Sequence, residues 1–210
     1  MVFLRLMNTI PLFPLSAVLF PSGVLPLRVF EVRYLDMVKK CIADKTEFGV
    51  VALLGGSEVR TPQGHEVLGT TGTMARIDEW SAPMPGLLHL RCTGTTRFDL
   101  QSSVQGKYGL WNGEAVPIEE DPIVEIPIAL QASANRLGKL ISDLQKDGVP
   151  LPEMPVAAPF FLDESGWVAN RWCELLPIPV DQKLRLLALK NPVERLEYVH
   201  KFLSDRGLMS

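Results

Sequence analysis

An apolar segment interrupted by prolines is the feature that most constrains how this chain folds. The segment from Leu6 to Leu27 contains no charged residue and is long enough to cross a lipid bilayer. It also contains prolines at positions 11, 14, 21 and 26. A proline inside a helix removes a backbone donor and costs about 3 kcal/mol, and the same prolines break up the apolar run that a signal peptide needs. The segment therefore predicts part of a soluble fold, with no membrane span and no export signal.

Taken as extended chain, the segment divides into short strands. Residues 11–15, 17–20 and 24–30 form apolar, strand-length runs separated by Pro, Ser and Gly. Proline is tolerated at strand ends, edges and bulges, where no ladder donor is required. After Phe30 the period changes, because Leu35, Val38 and Ile42 recur on one helical face. This spacing predicts a short amphipathic helix that starts near Glu31.

The pattern then returns to strands. Further runs cover residues 47–54, 67–80, 86–94, 96–104 and 108–118, with Gly and Pro at most of the joints. Together with the opening runs, they give about six to eight strands and one early helix. Because open edges of that length promote aggregation, the sequence predicts a closed or nearly closed β-structure.

The last ninety residues have a helical pattern. Leu130, Ala134, Leu137, Ile141 and Leu144 recur at intervals of four and three, and apolar stripes follow in residues 165–177 and 182–190. Asn191-Pro192 starts a fourth helix, which Gly207 ends. The predicted fold class is α+β and mainly β. A β-domain covers residues 1–120, and a helical bundle of about four helices covers residues 121–210.

Charge and cysteine content narrow the functional classes. The 210-residue chain has a formal net charge of −3, which argues against nucleic acid as the partner because such proteins need a dense basic face. Cys41, Cys92 and Cys173 are few, odd in number and far apart. They indicate buried, reduced thiols and a cytoplasmic location.

The motifs of several common chemistries are missing. The sequence has no GxxxxGK[ST] phosphate loop, no GxSxG nucleophile elbow and no HExxH metal motif. His65, His89 and His200 have no paired ligand spacing. The glycine cluster Gly69–Thr73 lies within a strand pattern, which favours a bulge or bend over a phosphate loop. The sequence therefore predicts a protein that is not an enzyme and uses no metal or cofactor.

The segment Phe30-Glu31-Val32-Arg33-Tyr34 permits two interpretations. Glu31 in the first helical turn can accept hydrogen bonds from free N–H groups, and Arg33 can pair with a carboxylate or with carbonyl groups. These residues form either a structural clamp at the strand–helix junction or a ligand-facing site. Arg97 has the same two interpretations.

Several of these residues belong to a longer sequence pattern that resembles a known protein family. The stretch PLFPLSAVLFPSGVLPLRVFEVRYLDMV, which contains Pro14 and Pro26, is followed by FGVV, by a strand with Gly69 and Thr70, and by Gly94-x-x-Arg97-Phe98. This pattern closely resembles the N-terminal, substrate-binding domain of the Lon ATP-dependent protease. The C-terminal ANRWCELLPIPVDQKLRLLALKNPVERLEYVHKFL is similar to the helical segment that follows that domain, so the resemblance covers residues 8–205.

The resemblance implies a PUA-like pseudo-barrel with a helical bundle, and a role in engaging protein substrates. A complete Lon protease also carries an ATPase module and a Ser–Lys peptidase module, and the motifs of both are missing. The resemblance therefore implies a stand-alone Lon-domain protein that hydrolyses neither peptides nor ATP and that assists proteolysis or protein quality control.

The first functional hypothesis is a non-catalytic module that binds polypeptides or a partner protein such as a protease. Its apolar contact surface is predicted at Phe20, Pro21, Trp80, Met84 and Trp111. The alternative is a PUA-like RNA- or nucleotide-binding protein, which requires an exposed basic face that includes Arg76, Arg91 or Arg97. A hydrolase would require a nucleophile and a base in contact.

Overall fold

The chain divides into two compact units. The computed structural model describes residues 7–58 and 66–209. The first unit runs to Glu119 and also contains Pro179–Leu187, and the second contains Glu120–Ile178 and the residues from Ala188 onward. The helix near residues 180–188, which the sequence assigns to the C-terminal domain, therefore lies almost entirely in the first unit.

The described residues of these units contain six strands and five α-helices. The strands are β1 (Asn8–Leu15), β2 (Val24–Val29), β3 (Phe48–Gly55), β4 (Val67–Met84), β5 (Leu87–Gln105) and β6 (Trp111–Pro117). The helices are α1 (Val32–Asp44), α2 (Gln131–Lys146), α3 (Ser165–Leu175), α4 (Val180–Ala188) and α5 (Pro192–Asp205). The fold is thus mixed α and β and rich in sheet. No helix in the described residues is long and apolar enough to cross a membrane.

The six strands form one sheet whose pairings close on themselves. Their order is β2-β5-β4-β3-β1-β6, and β6 also pairs with β5. The long strand β5 makes this closure possible, since its first part pairs with β2 and β4 and its last part pairs with β6. Among the described residues β2 pairs only with β5, so one of its edges has no partner strand there.

Strand β1 shows how the sheet accommodates the prolines of the opening segment. Residues 8–12 of β1 pair with β6, and residues 12–15 pair with β3. Pro11 therefore has a partner strand on one side only, and so does Pro14. A missing N–H is tolerated where one side of a strand is unpaired.

Two strand predictions are wrong. Residues 17–20 are irregular, although Val18, Leu19 and Phe20 are buried in the first unit. The runs 86–94 and 96–104 form the single strand β5. Glycine at position 94 marks a close backbone approach there, because a Cβ would lie 2.3 Å from the carbonyl oxygen of Phe20.

The second unit contains its own buried core and a well-defined helix start. Asn191 caps α5 by accepting hydrogen bonds from the backbone N–H groups of Val193 and Glu194, as its sequence pattern predicts. Arg195 of α5 is fully buried and pairs with Asp121 at 2.5 Å. Its guanidinium also donates to Asn170 at 2.9 Å. These contacts join distant parts of the second unit.

Candidate functional site

Arg33 organises the junction between β2 and α1. Its side chain is 3% exposed. The guanidinium donates to Glu31 at 3.2 Å, to the carbonyl of Gly109 at 3.1 Å and to Glu66 at 3.2 Å. Burial alone would lower the pKa of Arg33, but Tyr34, Glu66 and Glu31 outweigh that effect and raise it. Arg33 is therefore held as a cation with its hydrogen-bonding groups directed at the protein, which supports the structural-clamp interpretation.

Glu66 extends this cluster toward β6. Its side chain is 6% exposed, and one carboxylate oxygen accepts from Arg33. The other accepts a hydrogen bond from the indole N–H of Trp111. Glu31 stands at the N-cap position of α1, but its side chain makes no capping hydrogen bond. The expectation that the Glu31 carboxylate binds free helix N–H groups is wrong, because this carboxylate pairs with Arg33 instead.

Tyr34 lies beside the cluster with its polar end unpaired. Its ring stacks on Phe13 with the centroids 4.1 Å apart, and the residue is 3% exposed. The hydroxyl is buried and has no hydrogen-bond partner among the described residues. Burial raises the pKa of Tyr34, and Glu66, Glu31 and Glu58 raise it further, whereas Arg33 lowers it. The hydroxyl is therefore neutral at physiological pH and able to donate or accept a hydrogen bond.

A cleft opens at this point of the first unit. It has a volume of about 290 Å³ and is lined mainly by apolar residues from the end of β1 and from β2. Its walls include Phe13, Leu15 and residues 25–29, and Phe30, Glu31, Tyr34 and Glu58 complete it. Phe30 is 57% exposed at the border of the cleft. Such a cleft, apolar with a few polar groups, has the general character of a binding site.

The end of the β4–β5 hairpin presents a second apolar surface. The residues from Asp78 to Gly86 are exposed. Trp80 is 55% exposed and Met84 is 59% exposed. Large apolar side chains at such exposure are typical of contact surfaces when they occur together.

Comparison with known proteins places the chain in a family. The family model of the ATP-dependent protease La (LON) substrate-binding domain matches residues 9–205. The chain belongs to the Lon substrate-binding domain family. In this family the domain is a non-catalytic, substrate-binding module.

Solved structures agree with this assignment. The Lon N-terminal domain protein from Xanthomonas campestris is 33% identical over 93% of this chain and 98% of its own, with a TM-score of 0.74. The N-terminal domain of the Mycobacterium avium complex Lon protease is 15% identical over 94% of this chain and 99% of its own. Its TM-score of 0.60 shows the shared fold. No curated protein sequence gives a significant match.

The structure separates the five residues predicted to form the binding surface. Phe20 is fully buried, so the expectation that it is exposed is wrong; its ring fills the core of the first unit. Pro21 is half-buried, and Trp111 is half-buried with its N–H bonded to Glu66. Only Trp80 and Met84 are exposed as predicted. None of the five residues lines the cleft.

The other residues of the Lon-like sequence pattern lie in strands of the sheet. Pro14 pairs with β3 and Pro26 lies opposite Arg91 of β5. Gly69 and exposed Thr70 lie within β4 where its pairing with β3 shifts register, which agrees with the predicted bulge or bend. Phe98 is buried between Gly49 and Gly72.

Of the three arginines named for the RNA-binding alternative, Arg97 is buried, Arg91 is half-buried and Arg76 is exposed. Arg97 is 3% exposed and donates to the carbonyl oxygens of Leu187 and Glu119. Arg76 is exposed but pairs with Asp78 at 2.8 Å. Because a charge buried among carbonyl groups cannot reach a phosphate backbone, Arg97 is a structural clamp within the first unit.

One contact in the second unit has the composition of a catalytic pair. The hydroxyl oxygen of Ser133 lies 3.0 Å from Nδ1 of His200. Ser133 is fully buried, and neither the cleft at β2 nor a second cleft near Phe160 is lined by it. The contact therefore holds α2 against α5. Within the described residues no cluster of His, Cys, Asp and Glu could hold a metal ion, and His65 lies outside those residues.

Sequence reasoning missed Glu58 and Glu66. Glu58 precedes, and Glu66 follows, a polar stretch of sequence that has no periodic pattern, and Glu66 is 33 positions from Arg33. No local signal in the sequence connects residues at that separation.

Proposed function

We propose that the protein is a non-catalytic module that binds polypeptides through its first unit. Membership of the Lon substrate-binding domain family over residues 9–205 carries the proposal. The apolar cleft and the exposed hairpin residues Trp80 and Met84 supply surfaces that fit this role. An unfolded polypeptide offers the apolar side chains that such surfaces bind.

The same membership supports a more detailed proposal about fold and role. We propose that the closed sheet is a PUA-like pseudo-barrel and that the helices of the second unit form a bundle. The bound polypeptides would be substrates or a partner protein such as a protease, in the cytoplasm, so that binding assists proteolysis or protein quality control. The buried positions of Cys41, Cys92 and Cys173 agree with reduced thiols.

Substitution on the hairpin tests the proposal. The double variant Trp80→Ser, Met84→Ser should bind a permanently unfolded protein, such as reduced and carboxymethylated lactalbumin, about tenfold more weakly, because two exposed apolar contacts are lost. Fluorescence anisotropy measures the affinity, and circular dichroism checks that the fold is retained. The exposed variant Glu197→Gln on α5 is the control.

Equal affinities of the double variant and the wild type would remove the hairpin from the binding surface. If the protein binds RNA saturably and with a steep salt dependence, and does not bind the unfolded protein, the RNA-binding alternative is favoured.

A further inference from the structure

Along the edge of β2 that pairs with no described strand, backbone hydrogen-bonding groups point away from β5. In an antiparallel pair, alternate residues direct both backbone groups at the partner strand and the others direct theirs away. Gly94 donates to the carbonyl of Gly23 at 2.9 Å, and Val24 is the next residue, opposite Thr93. The alternation therefore directs the backbone groups of Val24, Pro26 and Arg28 to the free side.

The cleft follows this edge. Residues 25–31 line it without interruption. Side chains of successive strand residues point to opposite faces, so a cleft that touches every residue in turn must run along the backbone edge. Pro26 lacks an N–H only on this side, which leaves its pairing with β5 intact. An extended polypeptide can add to such an edge by main-chain hydrogen bonds.

The floor of the cleft contains an unsatisfied polar group. Tyr34 lines the cleft, and its buried hydroxyl has no partner among the described residues. A buried hydroxyl without a hydrogen bond is unfavourable, and most such groups in folded proteins are satisfied. A ligand that brings a hydrogen-bond donor or acceptor into the cleft would give this hydroxyl a partner.

The charges around the cleft favour a cation. Glu31 and Glu58 line it, and Glu66 lies behind them on Arg33. Arg33 pairs with both Glu31 and Glu66, and the Glu58 carboxylate accepts a hydrogen bond from the backbone N–H of Ser16 at 2.5 Å. Arg28, whose side chain is exposed, is the other cation at the cleft. The carboxylates thus outnumber the cations among the described residues. A lysine or arginine side chain matches this environment, because it combines an apolar stem with a head group that only donates.

We propose that an extended polypeptide segment adds to the free edge of β2 and places a basic side chain in the cleft, beside Tyr34, Glu31 and Glu58. This inference rests on the proposed function and specifies the class of polypeptide that the cleft selects. The apolar wall receives the stem of the basic residue, the Tyr34 hydroxyl accepts a hydrogen bond from its head, and the carboxylates neutralise its charge.

A pair of peptides tests the inference. Both are ten-residue, apolar, strand-forming peptides that carry a fluorescent label. One has a central arginine, and the other has citrulline, which keeps the shape of arginine without its charge. Affinities are measured by anisotropy for the wild type, Tyr34→Phe and Glu58→Gln, with Tyr198→Phe and Glu197→Gln as matched controls on α5. The labelled, permanently unfolded lactalbumin serves as a third probe.

The wild type should bind the arginine peptide about tenfold more tightly than the citrulline peptide, as expected for a charge-assisted hydrogen bond. Glu58→Gln should reduce this preference to about threefold or less, and Tyr34→Phe should weaken binding of the arginine peptide severalfold. Both controls should keep the full preference. Tyr34→Phe removes only an oxygen without a partner, so its melting temperature should not fall.

Equal wild-type affinities for the two peptides would overturn the inference, while binding of the unfolded lactalbumin would show that the proposed function stands. A preference that persists unchanged in both Tyr34→Phe and Glu58→Gln would place the basic side chain elsewhere and would also overturn it. If the wild type binds neither of the two peptides nor the lactalbumin, both the inference and the proposed function are rejected.

Discussion

At the scale of single residues, Arg33 shows how one buried charge fixes a strand–helix junction. Its guanidinium has partners on three segments: Glu31 beside it, Gly109 before β6 and Glu66 before β4. Glu66 in turn bonds Trp111. Removal of the cation would leave Glu66 buried next to another carboxylate, and the cost of an unpaired buried charge exceeds that of most single substitutions.

The substitution Arg33→Met should therefore lower the free energy of unfolding by about 3–5 kcal/mol. Arg76→Met is the matched control, because Arg76 also pairs with a carboxylate but its side chain is 58% exposed. It should cost no more than about 1 kcal/mol. Urea denaturation of both variants checks the difference, and equal losses would show that Arg33 is not the clamp described above.

Buried thiols give the stability a pH dependence. Burial, followed by Asp78 and Cys41, raises the pKa of Cys92 to about 12, and burial also raises the pKa of Cys41. Above pH 9 the unfolded chain loses these protons while the folded chain keeps them, so unfolding is favoured. Stability should be unaffected by these groups below pH 9 and should fall between pH 9 and pH 12.

The variant Cys92→Ala separates this effect from other alkaline transitions. The free energy of unfolding of the variant should fall less steeply with pH than that of the wild type. The two slopes should differ by about 1.4 kcal/mol per pH unit, which corresponds to one proton. Urea denaturation at several pH values between 8 and 11 measures the slope. An identical slope in the variant and the wild type would mean that Cys92 does not contribute.

Several residue roles could be predicted from the sequence, and others could not. The cap of α5 was predictable because Asn191, Pro192 and Glu194 are neighbours in the chain and act locally. The partners of Arg33 were not, since they depend on which strands meet. The burial of Phe20 was also missed, because an apolar residue beside a proline and a glycine suits a surface turn as well as a core.

At the scale of elements, close packing of the sheet depends on glycines that face Phe98. A Cβ on Gly72 would lie 2.4 Å from the carbonyl oxygen of Val50 and 2.5 Å from Cζ of Phe98. A Cβ on Gly49 would lie 2.9 Å from the same ring atom. The strands β3 and β4 therefore fit around the ring only where these side chains are absent.

The variant Gly72→Ala should destabilise the protein by about 3 kcal/mol, because a backbone oxygen and a buried ring must both move. Gly55→Ala in β3 is the control, since its Cβ would meet Val67 at an ordinary 3.4 Å. Thermal unfolding of the two variants gives the comparison. A loss in Gly72→Ala no larger than that in Gly55→Ala would contradict this packing.

Element types were predicted better than element ends. The periods of α1 and α2 and the buried run of β3 are properties of contiguous residues, so the sequence shows them. The continuity of β5 through Gly94 is not such a property. It depends on the close approach of the Phe20 carbonyl, which comes from a segment more than seventy residues earlier.

At the scale of the whole molecule, helix α4 belongs to a unit that its position in the sequence does not indicate. Leu187 accepts a hydrogen bond from Arg97, and Leu184 lies against Gly69. Helical periodicity identifies α4 as a helix but cannot show which core it packs against. The first unit contains the residues up to Glu119 and also Pro179–Leu187, whereas the predicted domain boundary lies at residue 120 alone.

The central claim is that the first unit binds unfolded polypeptide, and amide chemical-shift mapping by NMR tests it most directly. Isotope-labelled protein is titrated with reduced and carboxymethylated lactalbumin. Saturable shifts are expected in residues 24–34 along the cleft and in residues 78–86 of the hairpin. Absence of saturable shifts, or shifts confined to α2, α3 and α5 of the second unit, would contradict the claim.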